Sequence, residues 1–183
     1  VLQYFSEKVQ LRPTEADCIY AGILIDTDNF AAKVGVRTFE AAAYLRRNGA
    51  DVIRVRKMLR EDMATYKARA QVVRDAEVYH DHYAVAICET TDVESPTIVG
   101  AQAANELLNI VGIKASFVIT DYRGKIYISA RSIDEVDVQK LMEQLGGGGH
   151  LNIAGAQIPG ADIDEVKQKL IELIDEHVDK GDL

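Results

Sequence analysis

The sequence predicts an α+β (or α/β) chain in which a helical piece is joined by a long helix to a mixed-sheet piece with flanking helices. Three observations carry this. Before residue 60 the apolar residues come in helix-length blocks separated by capping and turn residues. From Tyr83 onward, strand-length apolar runs alternate with helical ones. Between them lies a charged, amphipathic stretch over 60–78. The expected parts are residues 1–59, a connecting helix 60–82, and residues 83–183.

Pro13 pre-orders a helix entry, Thr14 can cap it, and Glu15 and Asp17 suit the positive end of a helix. The apolar run 18–25 continues that helix, and Asp26-Thr27-Asp28-Asn29-Phe30 breaks it. Thr38-Phe39-Glu40-Ala41 approximates a capping box for a second helix, which Asn48-Gly49 ends. Asp51 opens a third, short helix through Val52, Val55 and Leu59. In the later part, 83–88 reads as strand and 96–110 as a helix with Ala101, Ala104, Leu107 and Leu108 on one face. Strands over 115–119 and 125–129 are joined by a Tyr122-Arg123-Gly124 hairpin. A helix over 136–145, a strand-like run over 151–158 and an amphipathic helix over 163–177 complete the chain.

With 183 residues, 48% of them hydrophobic, the chain can bury a sizeable core. No apolar run approaches the roughly 18 residues of a membrane span, so no membrane contact is expected of it. Val1-Leu2-Gln3-Tyr4 has neither the basic nor the apolar region of a signal peptide. The start also lacks Met, which leads us to expect a longer parent protein. The net charge of −8 disfavours long nucleic acid as a partner. That charge is uneven: residues 1–80 hold 13 Lys+Arg against 11 Asp+Glu, and residues 81–183 hold 8 against 18. A small phosphate ligand needs only a few local cations and backbone N–H groups, so it remains compatible. Cys18 and Cys88 lie far apart in apolar surroundings and read as buried thiols of a reducing compartment.

The run Gly146-Gly147-Gly148-Gly149 followed by His150 is the first candidate site. Consecutive glycines cost conformational entropy but allow positive φ and close backbone approach, so the N–H groups of Gly147, Gly148 and Gly149 can converge on an anion with His150 as a further donor. A flexible linker is the competing reading. The run lacks serine and sits between a helix and a strand, which favours phosphate. Ser129-Ala130-Arg131-Ser132 closes a strand, where Arg131 can offer a bidentate contact and Ser129 or Ser132 a hydroxyl; a solvated surface arginine is the alternative. Asp26 ends a buried-type run and reads equally as a metal ligand or as a turn aspartate. Tyr79-His80-Asp81-His82-Tyr83 reads as a surface junction, and His177 as a solvated residue on a charged helix.

In this order the blocks resemble the DHH superfamily of phosphoesterases, most closely the cyclic-di-AMP phosphodiesterases of the GdpP type found in Firmicutes. Residues 21–30 look like that family's last catalytic motif, followed by Gly35-Val36-Arg37-Thr38-Phe39-Glu40-Ala41-Ala42 and Leu45-Arg46-Arg47-Asn48-Gly49-Ala50-Asp51. Ile128-Ser129-Ala130-Arg131-Ser132 and Gly146-Gly147-Gly148-Gly149-His150 are similar to motifs of the DHH-associated domain. The resemblance implies the end of a metal-bearing domain followed by a whole substrate-binding domain. It also implies two-metal hydrolysis of a cyclic dinucleotide to its linear product, with Mn(II) as the metal pair. The alternatives are an oligonucleotide exonuclease or a 3′-phosphoadenosine-phosphate phosphatase of the same superfamily, or a non-catalytic nucleotide-binding or dimerisation module. Asp26 falls on the family's final metal ligand. The other ligands belong to upstream motifs, so this chain alone is expected to be inactive and not to hold the pair. The resemblance further implies a cytoplasmic face, a parent anchored through N-terminal segments, and a possible homodimer.

Overall fold

Pro13 sets the start of α1 (Pro13–Asp26), since its fixed φ suits the first turn and its missing N–H would have no partner there. The computed structural model describes residues 10–31, 34–89, 93–133 and 136–180; Val1 to Tyr4, read above for a leader, lie outside them. The chain divides into two units, Val1–Glu61 and Asp62–Leu183.

In the first unit α1 is followed by α2 (Val36–Arg47) and α3 (Val52–Met58). Two expected caps are corrected. Arg12, not Thr14, is the N-cap of α1, and Glu15 accepts the Arg12 N–H at 2.9 Å. Gly35 precedes α2, and Thr38 accepts its N–H from inside the first turn at 3.3 Å. In both, a side chain three positions in reaches back to the cap, so the helix begins before the residue that seemed to open it. Ala16, Tyr20 and Ala21 pack against Ala42, Leu45 and Val55. Asp17, 3% exposed, ties α1 to α3: it accepts Arg54 Nε at 2.7 Å and the Asp51 N–H at 2.6 Å. Asp51 in turn caps α3, accepting the Ile53 N–H at 2.7 Å.

The second unit is built on a six-stranded sheet of order β1-β2-β3-β4-β6-β5. The strands are β1 (Glu77–Tyr79), β2 (Tyr83–Cys88), β3 (Ala115–Tyr122), β4 (Lys125–Ser132), β5 (Gly148–His150) and β6 (Ile153–Pro159). Among the described residues only β2 and β3 pair in parallel, and α5 (Pro96–Leu107) makes the crossover between them. β3 and β4 meet through Arg123 and Gly124, both at positive φ (53° and 72°), the geometry of a tight two-residue hairpin. Helix α4 (Met63–Arg74) and α5 cover one face through Ala68, Val72, Val99, Ala103 and Leu107. Helices α6 (Val138–Gln144) and α7 (Ile163–Lys180) cover the other through Leu141, Met142, Leu170 and Ile174. β3 is buried on both sides from Ala115 to Thr120 because helices sit on both, and its one buried serine, Ser116, donates to the Ala104 carbonyl of α5 at 2.7 Å.

The helix expected over 60–78 is realised only over Met63–Arg74, and it packs within the second unit. Asp62 starts it afresh by accepting the Thr65 N–H at 2.9 Å, and the chain turns out at Asp75 into β1. Cys88 is buried as expected, but Cys18 is exposed. Among the described residues no helix is long and apolar enough to cross a membrane.

Candidate functional site

The four consecutive glycines turn out to do different jobs. Gly146 has φ 76° and closes α6, while the Gly147 N–H bonds the Met142 carbonyl at 2.8 Å. The Gly147 N–H is therefore committed to the helix end, not to an anion. A Cβ at Gly147 would stand 2.1 Å from the Gly155 carbonyl oxygen, and one at Gly149 would stand 2.5 Å from the Ala154 Cα. Both glycines exist to let β5 lie against β6. A Cβ built at Gly146 or at Gly148 would meet nothing within 4 Å, but Gly146 is held at positive φ, so Gly148 is the member of the run with both open space and an ordinary backbone. The run is thus a helix stop and a strand, and Gly148 is the member of β5 with open space over its Cα.

Strand alternation assigns the rest. Along β4, Ile126, Ile128, Ala130 and Ser132 are buried and Tyr127, Ser129 and Arg131 are partly exposed on the opposite face. Register carries that face across the sheet. Arg131, Ile153 and His150 form one row; Ser129, Gly155 and Gly148 form the next; Tyr127 and Gln157 form a third. A cleft of ≈ 460 Å³ lies over the last two rows, lined by Ser129, Gly147, Gly148, Gly155, Tyr127 and Gln157, with Thr97 of α5 beside them. The structure so brings Ser129, Gly147 and Gly148 onto one cleft, with Arg131 and exposed His150 in the adjoining row.

Arg131 donates to Asn105 Oδ1 at 2.8 Å and to the Ala130 carbonyl at 2.9 Å. Burial lowers the pKa of its guanidinium from the ordinary value. Ser132, expected as a substrate contact, is turned to the opposite face: it is 6% exposed and its hydroxyl donates to the Val136 carbonyl at 2.6 Å. It is structural.

Asp26 is exposed at the last position of α1. The turn after it is unusual, because Asp28, Asn29 and Phe30 all have positive φ (44°, 56° and 68°). Buried Thr27 holds this turn, donating to the Ile23 carbonyl at 2.6 Å and accepting the Phe30 N–H at 3.1 Å. Phe30 stacks on Phe39 with centroids 5.4 Å apart. Among the described residues no group of three or more His, Cys, Asp or Glu side chains is placed to hold a metal ion.

His80 and His82 sit in the turn between β1 and β2, bonded to Asp175 (2.6 Å) and to the Gly112 carbonyl (2.9 Å). His177 is not the solvated residue expected. It is 8% exposed, with Nδ1 on the Leu173 carbonyl and Nε2 on the Gln144 amide.

A family model described as the DHHA1 domain matches residues 81–178. The chain belongs to the DHHA1 family. The DHHA1 match takes in the whole sheet from β2 to β6 and hence the cleft. Over nearly all its length the chain is similar to the cyclic-di-AMP phosphodiesterases PdeA of Listeria monocytogenes (43% identity over 96% of this chain) and GdpP of Bacillus subtilis (38% over 99%). It spans 27% and 28% of those two relatives. The fold matches an exopolyphosphatase-related protein from Bacteroides fragilis with TM-score 0.79 at 22% identity, covering 95% of this chain and 52% of that one.

Sequence reasoning missed Tyr127, Gln157, Thr97 and Asn105 as neighbours of the DHHA1 cleft. The signal for Tyr127 was available: period-two alternation along β4 puts it on the face of Ser129 and Arg131, and puts Ser132 on the other. Thr97, Asn105 and Gln157 required the tertiary pairing.

Proposed function

We propose that the cleft of the second unit binds the phosphate of a nucleotide, and that this chain is the substrate-binding part of a phosphodiesterase that opens cyclic-di-AMP to the linear dinucleotide. Arg131 carries the phosphate reading. It is a half-buried guanidinium with an amide and a carbonyl as partners, and it has no carboxylate partner among the described residues. A desolvated cation is costly unless an anion completes it, and a phosphate matches the planar fork with two oxygens. Ser129 offers a hydroxyl from the next row, His150 a ring donor from the same row, and the absence of a side chain at Gly148 lets an oxygen approach the main chain.

The substrate reading is supported by the names of the relatives at 38–43% identity. The family resemblance adds an Mn(II) pair with Asp26 as one ligand. One carboxylate at an exposed helix end does not fit such a pair. We therefore assign this chain binding and orientation: it holds the phosphate in place while Asp26 serves a centre completed by residues outside it.

The test is calorimetry of this polypeptide, without metal, against ribose 5-phosphate and AMP. Both should bind saturably. Arg131→Ala should weaken both by roughly tenfold or more, the worth of a charge-assisted pair of hydrogen bonds. Equal affinity in the variant sinks the phosphate assignment.

A further inference from the structure

Four polar side chains converge on the cleft with no hydrogen-bond partner among the described residues: the hydroxyls of Thr97, Tyr127 and Ser129, and the Gln157 amide. Ser129 belongs to the phosphate end. The other three lie together at the far end, where Tyr127 and Gln157 are register partners and Thr97 faces them from α5. Two strand positions separate Tyr127 from Ser129, about 7 Å along β4. That is the scale of one ribose between a phosphate and its base.

The chemistry of this far end is that of a flat, hydrogen-bonding ligand. Tyr127 provides an aromatic face. It is flanked by Tyr122, with ring centroids 6.5 Å apart and tilted 53°, and the Arg123 guanidinium lies over Tyr122 at 5.0 Å from its centroid. Those neighbours limit the ring's freedom, so stacking on it costs little further ordering. Gln157 presents a donor and an acceptor side by side, the pattern that pairs with the N6/N7 edge of adenine. The cleft volume of ≈ 460 Å³ is in the range of small-ligand sites. Gly100 keeps α5 near the sheet on this side, since a Cβ there would stand 2.6 Å from Thr120 Oγ1.

We infer that Tyr127, Gln157 and Thr97 form a nucleobase subsite, with the base stacked on Tyr127 and its edge read by Gln157, one ribose away from the phosphate held by Arg131 and Ser129. The subsite rests on the phosphate reading above and adds the feature that would tell one nucleotide from another. Thr97 closes the side of the cleft opposite the glycine strand and supplies a hydroxyl to the ribose or base.

The experiment compares ribose 5-phosphate, AMP and UMP on the wild-type polypeptide and on Tyr127→Ala, Tyr127→Phe and Gln157→Ala, by nuclear magnetic resonance titration. The wild type should prefer AMP to ribose 5-phosphate. Tyr127→Ala should weaken AMP by roughly 5- to 150-fold, the usual loss of one stacked base, while ribose 5-phosphate binds as before. Tyr127→Phe should keep most of the AMP affinity. Gln157→Ala should bring AMP and UMP together. Unchanged ribose 5-phosphate binding also certifies that each variant is folded. If AMP binds no better than ribose 5-phosphate and Tyr127→Ala changes neither, the subsite is overturned and the phosphate reading stands. If the wild type binds none of the three, the phosphate reading falls and the subsite falls with it.

Discussion

Gly147 lies so close to Gly155 that a Cβ on the first would be 2.1 Å from the carbonyl oxygen of the second. Main chain cannot yield there as a flexible side-chain tip can. Gly147→Ala should therefore destabilise the second unit by about 1–3 kcal/mol or more, the cost of overpacking. Gly148→Ala should leave stability within roughly 1 kcal/mol, because a Cβ there meets nothing within 4 Å. It should nevertheless lower phosphate affinity by covering the cleft floor. Urea unfolding and a ribose 5-phosphate titration on both variants check the contrast, and equal destabilisation would refute it.

Acid should act on the first unit through Asp17. Hydrogen bonds from Arg54 first, and then from the Asp51 backbone, hold this carboxyl below the usual carboxylate range. A lowered native pKa stabilises fully above the unfolded value, and the contribution is lost as pH falls through the native one. Far-UV circular dichroism of the wild type should show helix lost on acidification below that range. Asp17→Asn should be less stable at neutral pH and should flatten the acid dependence. An unchanged acid profile in the variant counts against this account.

At the alkaline end the reporter is Tyr79. Its hydroxyl donates to Glu77 Oε2, and this bond is the largest cause of a phenol pKa pushed up to about 12. The raised pKa favours the folded state below the unfolded value of about 10 and loses that effect as pH rises through about 12. Ultraviolet difference titration of the wild type against Tyr79→Phe should assign to Tyr79 a phenol that ionises at about 12. Glu77→Gln should bring it back toward the ordinary phenol value of 10.0.

Leu170 is fully buried on α7 among the residues that cover the sheet. Leu170→Ala should cost about 2–5 kcal/mol, read as a lower urea midpoint at unchanged slope. A loss under about 1 kcal/mol would mean that α7 is not tightly docked.

Given Mn(II) and cyclic-di-AMP, this polypeptide should show no appreciable turnover while still binding nucleotide. Asp26 is the one metal-ligand candidate carried over from the family motif, and no cluster forms around it among the described residues. Chromatography of the reaction for linear dinucleotide is sufficient, and measurable product would contradict the division of labour proposed above.

Much of this architecture was legible in the sequence because local rules and tertiary packing agree. The Arg123-Gly124 turn, the Asp51 cap and the Gly146 helix stop each follow from chemistry within a few residues. Misreadings arose where a distant partner decides. Ser132 looked like a site residue until the Val136 carbonyl took its hydroxyl. His177 looked solvated until Gln144 of α6 met its ring. The glycine run looked like a free anion nest because composition cannot show that Gly147 and Gly149 are pressed against β6. The far end of the cleft was missed because a tyrosine and a glutamine 30 positions apart acquire meaning only when β4 and β6 pair.

The pairing of β4 with β6 also separates scaffold from reader. Even-numbered β4 residues from Ile126 to Ser132 build the core, while odd-numbered Tyr127, Ser129 and Arg131 look outward, and β6 repeats the arrangement with Ala154 and Ala156 against Gly155 and Gln157. Exchanging Tyr127, Ser129 or Gln157 leaves the inward residues untouched, whereas a Cβ at Gly155 would stand 2.7 Å from the Ile128 carbonyl oxygen. The lining of the cleft at Tyr127, Ser129 and Gln157 is therefore free to drift, or to be rewritten by design, at little cost in foldability.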